Sequence, residues 1–407
     1  MHEFRPTDPA FLQDPHPTYA RLRRDAPIFF YEPWGKWVLT RYHDIDRLLR
    51  DKRLGRVIHQ VTPPEDQPRS NPDQAAFAAI QAGSLLEIEP PDHTRIRTVV
   101  HEAFTPKHVR ALGEKVVALC DLLADRLAAV PGREADLIRT FAEPLPVTVI
   151  ADLLGVPEVD RHALLPWSKA IIGMFEPERS PAMERAANEA AHAFAAYLRS
   201  LMAAKRATPG DDLITRMVQV HDEDPEQLSE GEVIANCILF LNAGHEAVVN
   251  VIGNGMYALL SHPDERRLVA ANMDLVPTAV EEMLRYDTPL QFFERFVLED
   301  ISFDAAHGQT VHWKKGEKLC LYYAAANHYP DVFDAPSTFR VARDPNPHIA
   351  FGLGVHFCIG APLARLELAN AVTTLLKRFP DLELAREQPV YEPRNVFRYL
   401  KELRVRF

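Results

Sequence analysis

Apolar and polar positions along this chain repeat with two periods, and the helical one dominates. Between residues 106 and 129, Val109, Leu112, Val116, Val117, Leu119, Leu122 and Leu123 recur at the spacing of one helical face, opposite a charged one. The same reading predicts helices over 44–50, 92–103, 145–154, 161–175, 181–206 and 212–218, with 181–206 very rich in alanine. The longest candidate runs from Glu230 to about Leu260. At ~1.5 Å per residue it reaches roughly 46 Å, enough to cross a whole domain. Shorter alternating runs read as strands. Residues 28–31 and 36–40 flank Pro33-Trp34-Gly35 as a hairpin, and after Leu290 come strands over 290–298, 310–313 and 318–322. A loop then covers 330–347 and a helix runs from about Ile359 to Phe379. Residues 57–83 show little periodicity and are rich in Pro, Gln, Asp and Asn, which predicts a long loop of the functional or mobile kind.

Thirty-three prolines against 17 glycines fit many helices with proline-marked ends. No internal repeat or low-complexity linker divides the chain, so residues 1–407 read as one unit, mainly α with small β-sheets. A chain of 407 residues that is 47% hydrophobic and 25% charged is globular in composition. At this length it is either two or three ordinary domains or one large helical unit around a bound group. Its 46 Lys+Arg and 57 Asp+Glu give a net charge of −11, without a run of five basic residues, which argues against nucleic acid as a partner. The most apolar stretch, 233–251, is interrupted by Asn236, Asn242, His245, Glu246 and Asn250. Those groups are costly at bilayer depth, so it reads as a buried helix and no membrane is expected. Residues 1–18 lack a basic start followed by an apolar core, which predicts a cytoplasmic chain with reduced thiols.

Four cysteines, Cys120, Cys237, Cys320 and Cys358, lie far apart and form no CxxC pair. Cys358 differs from the others by its neighbours. It sits in Phe351-Gly352-Leu353-Gly354-Val355-His356-Phe357-Cys358-Ile359-Gly360, immediately before a predicted helix. Unsatisfied backbone N–H groups and the positive end of the macrodipole favour a thiolate there, suited to a metal or an electrophile. Gly352 and Gly354 allow a tight turn, and Gly360 leaves room for a large flat group against the backbone. A lone cysteine is ordinarily a small buried hydrophobe.

With Ala361, Arg365 and Glu367 following, this segment resembles the haem-binding loop of the cytochromes P450. The resemblance implies the P450 fold, a single large domain enclosing haem b. Cys358 would be the proximal thiolate ligand, the metal ligand of the site; Phe351 would pack near the thiolate and His356 would reach a propionate. Other segments match in the family's order. Glu282 and Arg285 in Ala279–Arg285, three apart on one helical face, would on their own be a surface ion pair. By resemblance they are a buried structural pair, although the family's next arm, Pro-x-Arg-Phe, here reads Pro336-Ser337-Thr338-Phe339. His93 and Arg97, four apart, and Arg295 after Phe292-Phe293 match residues that clamp the propionates, a task for which arginine's planar fork is suited.

Ala243-Gly244-His245-Glu246-Ala247-Val248 resembles the family's oxygen-binding segment. Ala243 and Gly244 would open a groove, Glu246 matches the acidic position, and His245 reads as a satisfied helix histidine. Ala247 departs from the pattern by standing where the family usually has threonine; Ser and Thr are absent between Ser229 and Ser261. Protons would then come through water tied to Glu246, through a substrate hydroxyl, or with hydrogen peroxide. The substrate chamber would be lined by Leu85, Leu86, Leu239, Ala243, Leu290, Phe292, Phe293, Val396 and Phe397, with Met174 and Phe175 in its roof. An apolar lining favours a small hydrophobic substrate. Without a flavin or iron–sulfur motif, electrons would come from a ferredoxin and its reductase, docking near Cys358 at Arg365, Lys107 and Arg110. The expected activity is a haem-thiolate monooxygenase; the alternatives are a peroxide-dependent peroxygenase and a non-catalytic haem-thiolate sensor.

Overall fold

The hairpin predicted near the start forms. Ile28–Tyr31 pairs antiparallel with Lys36–Leu39, Ile28 opposite Leu39, and Gly35 supplies the left-handed residue of the turn (φ +59°). The computed structural model describes residues 4–63, 65, 71–386 and 388–407. The chain gathers into two compact units, each discontinuous in sequence. One comprises Met1–Gly55, Leu112–Leu145 and Ala247–Phe407; the other comprises Arg56–Ala111 and Pro146–Glu246.

In the first unit the hairpin extends into a five-stranded sheet. Lys36–Leu39 runs parallel to Lys318–Leu321, which pairs antiparallel with Phe293–Val297, and that strand pairs with Leu54–Gly55. Ile28, Leu39, Val297, Leu319 and Leu321 pack with Ile45 and Leu48 of helix Tyr42–Arg50 to make one core. Helix Ala361–Arg378 packs on Gly113–Ala128 and on Val276–Tyr286. Near the C-terminus, Arg404–Arg406 lies between Glu134–Asp136 and Glu383–Leu384, and Val390–Tyr391 pairs with Leu400–Glu402.

The second unit is helical. Its longest complete helix, Pro181–Ala207, begins with Ser180 capping Met183 N and a proline in the first turn. Ala187, Ala190, Ala191, Phe194, Leu198, Leu201 and Met202 form its buried stripe, packed against Leu164–Ile172, Ala75–Ala82 and Leu213–Glu223. The small alanines let these helices approach closely. Glu230–Ser261, the long helix, contributes its first part to this unit and its last part to the other. Among the described residues it alone is long and apolar enough to cross a membrane, and it is mostly buried within the protein.

Several boundaries differ from the sequence reading. Helix 106–129 is two helices, Pro106–Ala111 and Gly113–Ala128, separated where glycine interrupts the apolar run. The predicted loop over 57–83 holds a helix at Ala75–Ala82, because alanine's propensity outweighs the polar context; residues 64 and 66–70 of that loop lie outside the described residues. Helix 161–175 shrinks to Leu164–Ile172, with tighter turns on both sides. Helices His16–Asp25 and Pro263–Ala271 were not anticipated, although each has proline in its first turn. The C-terminal strands, two or three residues each, are too short for alternation to reveal.

Candidate functional site

The cysteine segment is a tight loop because its glycines adopt backbone angles closed to other residues. Gly352 has φ +66° and Gly354 φ +74°, and a Cβ on Gly354 would collide with the Leu49 carbonyl oxygen. Gly354–His356 makes one narrow turn; Phe357 N donates to Gly354 O (3.1 Å) and Cys358 N to Phe351 O (3.0 Å). The second bond closes the loop just before helix Ala361–Arg378, which Gly360 caps. A Cβ on Gly360 would meet Cys358 Sγ at 4.0 Å and nothing nearer, so that side of the sulfur stays uncrowded.

Burial separates the four thiols. Cys120, Cys237 and Cys320 are buried; burial pushes Cys120 up to about 12 and holds the other two well above the ordinary thiol value. Cys358 is part-exposed, the accessible thiol among the four. Arg365, seven residues on, stacks its guanidinium 4.5 Å from the Phe351 ring centroid. Its Nε and Nη2 donate to Glu281 Oε1 and Oε2 at 2.6 and 2.8 Å, and His348 Nε2 lies 2.9 Å from Glu281 Oε2. Burial alone would raise Glu281, but these partners outweigh it and hold the carboxyl down at about 2. Arg365, expected as a docking cation, is therefore bound within the loop's own scaffold. Lys107 and Arg110, in the second unit, are exposed.

Glu282 faces the other way on the same helix, since adjacent residues lie about 100° apart. It is fully buried and accepts from Arg285 Nε (2.7 Å), Arg285 Nη2 (2.9 Å), Arg343 Nε (2.9 Å), Arg340 N (2.9 Å) and Asn346 Nδ2 (3.3 Å). Arg285 also donates to the Asn327 and Pro336 carbonyls. Arg343 is the arm missing from the sequence reading; it reaches the carbonyls of Asp334 and Thr338 as well. Glu281, His348 and Arg343 carry no motif of their own. The available signal was two adjacent carboxylates, Glu281 and Glu282, each needing its own cations.

Arg295 and His356 belong to the first unit. Arg295 is buried on strand Phe293–Val297 with Nη1 donating to Glu294 O (2.9 Å), and its guanidinium stands 5.5 Å from the Phe293 ring centroid. His356 is part-exposed on the narrow turn. His93 and Arg97 belong to the second unit, on helix Asp92–His101; His93 is buried and Arg97 part-exposed. Arg95, between them, turns away to Glu232 (2.7 Å).

On the long helix, Ala243 is exposed and Leu239 and Ala247 are part-exposed, while Ile238, Phe240, Leu241, Asn242 and Val248 are buried. Leu239, Ala243 and Ala247, four apart, therefore form an uncovered stripe on a packed helix. Gly244 lies off that stripe. A Cβ there would stand 2.8 Å from Ile150 Cγ1, so this glycine serves a close helix contact in the second unit, whereas the sequence reading had it opening the groove. His245 is buried with Nδ1 2.6 Å from Leu241 O, and its Nε2 is 3.8 Å from Glu246 Oε2.

The chamber candidates divide by exposure. Leu86, Leu290, Phe293 and Phe397 are part-exposed, Leu85, Val396 and Met174 are buried, and Phe175 is part-exposed. Leu85 N donates to Asn236 Oδ1 (2.9 Å). Phe292 is 1% exposed and stacks on Tyr322 and Trp34 with centroids 4.7 and 5.7 Å away, as part of an aromatic core.

The residues present suit a thiolate-held haem. An accessible sulfur precedes a helix N-terminus, a glycine leaves its flank clear, and the buried thiols offer no rival donor. Among the described residues, three-member clusters of His, Cys, Asp and Glu able to hold a bare metal ion are absent. The comparisons agree. The family model Cytochrome P450 matches residues 65–398. "Cytochrome P450 monooxygenase PikC" of Streptomyces venezuelae is 39% identical over 98% of this chain and 92% of its own length. "Vitamin D(3) 25-hydroxylase" of Pseudonocardia autotrophica is 38% identical over 97% and 94%. Among solved structures, P450BioI in complex with an acyl carrier protein ligated to hexadec-9Z-enoic acid superposes with TM-score 0.89 at 34% identity, covering 98% of this chain and 99% of that one.

Proposed function

The chain belongs to the cytochrome P450 family, with that family's fold and monooxygenase activity, and from this we propose that it inserts one oxygen atom from dioxygen into a small hydrophobic molecule. Electrons would come from a separate ferredoxin and reductase, in the cytoplasm. When bound, haem b held by a thiolate supplies the oxygen activation. The observation that carries the reading is Cys358: the accessible thiol, on a glycine-shaped loop, closed by its own N–H to Phe351 O.

In this reading the chain's residues divide the work. Cys358 provides the axial sulfur, and Gly360 keeps its flank open. Glu281 holds Arg365 over Phe351, which fixes the ring beside the loop. His93, Arg97, Arg295 and His356 are proposed propionate contacts, each a donor by type. Ala243 is exposed, and Leu239 and Leu86 of the second unit and Leu290, Phe293 and Phe397 of the first are part-exposed; each is a proposed substrate contact. One relative above is named for hydroxylating vitamin D(3), and another was solved in complex with an acyl carrier protein ligated to hexadec-9Z-enoic acid. Within the class of small hydrophobic molecules we therefore favour extended, mostly apolar ones. The names of the relatives do not favour the peroxygenase or sensor alternatives.

Ala247 sets the chemistry apart. A methyl group cannot relay a proton, so delivery falls to water held by Glu246 or to a hydroxyl on the substrate. Product formed per NAD(P)H consumed should accordingly be low with substrates lacking a hydroxyl, and Ala247→Thr should raise it several-fold; no gain would count against this assignment. Cys358→Ser should abolish the strongly red-shifted band of the reduced, CO-bound protein, while Cys120→Ser keeps it. Persistence of that band in Cys358→Ser would overturn the haem assignment.

A further inference from the structure

Two backbone stretches of the first unit lie side by side although they are about a hundred residues apart. Arg398 N donates to Pro289 O and Gln291 N to Val396 O, both 2.8 Å, with Leu290 opposite Phe397. Neighbouring side chains in such a pair point to opposite faces. Pro289, Gln291, Val396 and Arg398 are buried, whereas Leu290 and Phe397 are part-exposed, so the pair shows one open apolar face carrying these two side chains.

The buried face is fastened by charge. Arg398 Nε donates to Asp287 Oδ1 (2.8 Å), Nη1 to Leu12 O (2.7 Å) and Nη2 to Gln13 O (2.9 Å), and Tyr391 OH donates to Asp287 Oδ2 (2.9 Å). The guanidinium also stands 3.5 Å from the Tyr391 ring centroid. Asn254 Nδ2 holds the Arg398 carbonyl (2.9 Å), and Gln291 is tied through its side chain to Tyr19 OH (2.8 Å) and Thr288 O (2.5 Å). Side chains of Arg398 and Asp287 are 8% and 9% exposed. A buried ion pair is weak evidence for stability, and its best-attested use is to fix a register. Register matters here, because a slip of one residue turns Phe397 from the open face to the buried one.

We propose that the Asp287–Arg398–Tyr391 cluster is a positioning device for substrate selection: by locking the register of 289–291 against 396–398, it holds Leu290 and Phe397 as a fixed wall on which large apolar ligands pack. This rests on the haem-thiolate reading above, in which Leu290 and Phe397 line the chamber. Asp287, Arg398 and Tyr391 touch no substrate themselves; they act through the two apolar side chains.

The test uses the full-length holoprotein and two azoles that bind through nitrogen: imidazole, too small to touch the wall, and econazole, large enough to reach it. Both are titrated by the shift of the haem absorption band. Asp287→Asn should weaken econazole at least ten-fold and leave imidazole within two-fold, with the reduced CO band unchanged. Arg398→Lys keeps the charge but cannot serve Asp287, Leu12 O and Gln13 O together, so it should lie between; it decides the matter if Asp287→Asn yields no holoprotein. Backbone amides of Gln291 and Arg398 should exchange faster in both variants. Equal losses for both azoles, or econazole unchanged, would overturn the proposal. A wild-type protein that gives no shift with imidazole would instead overturn the haem reading on which it rests.

Discussion

Replacing Glu282 by alanine removes the single carboxylate that two buried arginines share. Arg285 and Arg343 would be left facing the same void, and Arg340 N would lose its acceptor. Breaking a buried pair from one side costs about 3–5 kcal/mol, because the remaining charge has lost its compensation. The Arg340 amide is only part-buried, so its loss adds less than the about 1–3 kcal/mol of a fully buried orphan. The terms are not additive, so about 3 kcal/mol is a reasonable floor, against a typical total stability of about 5–15 kcal/mol. Glu282→Ala should therefore give little folded protein, and urea unfolding followed by tryptophan fluorescence should show a lowered midpoint in what is recovered. Glu282→Gln keeps the shape and one acceptor oxygen and should lose roughly half as much. Asp125→Ala, which breaks an exposed pair with Arg378, should change nothing measurable. A loss under ~1 kcal/mol for Glu282→Ala, with unchanged denaturant slope, would refute the idea that this carboxylate neutralises both arginines.

Two further outcomes follow from the same physics. Glu281 is held at about 2, below its ordinary 4.5, so its stabilising contribution is complete above 4.5 and is lost as pH falls from 4.5 toward 2. The difference in urea midpoint between wild type and Glu281→Gln should be constant near neutrality and shrink across that acid window; a constant difference down to pH 2.5 would contradict it. Gly244→Ala should cost about 1–3 kcal/mol through the Ile150 contact, and that cost should shrink when it is measured in an Ile150→Ala background, as a thermal-unfolding double-mutant cycle would show.

Much of the scaffold was legible because helical spacing is a local signal. The face of Pro181–Ala207, the hairpin at 28–39 and the strand at 310–313 can each be read inside a window of a few residues. Arg285 was legible as the partner of Glu282 for the same reason, being three residues away. Arg343 was not, because it meets Glu282 only after a chain reversal through 334–340, and periodicity does not reach across sixty residues. Gly244 shows a different limit. A glycine in a helix means either open space or close approach, and the choice between them belongs to the neighbour, Ile150, nearly a hundred residues earlier.

The cysteine loop was legible for a physical reason that the chamber lacks. Presenting a sulfur in front of a helix requires left-handed backbone at Gly352 and Gly354, which few residues besides glycine adopt, so that task leaves its mark in consecutive letters. A chamber wall requires only apolar side chains that converge, and any core supplies those. Leu290 and Phe292 are two residues apart and both apolar, yet Leu290 is part-exposed beside Phe397 while Phe292 stacks between Trp34 and Tyr322. What separates them is the pairing of 289–291 with 396–398, in which Arg398 is fastened to Asp287. On the proposal above, selectivity would be carried by residues whose letters say nothing about substrate, so variants at the buried charges should discriminate between ligands more sharply than variants at Phe292.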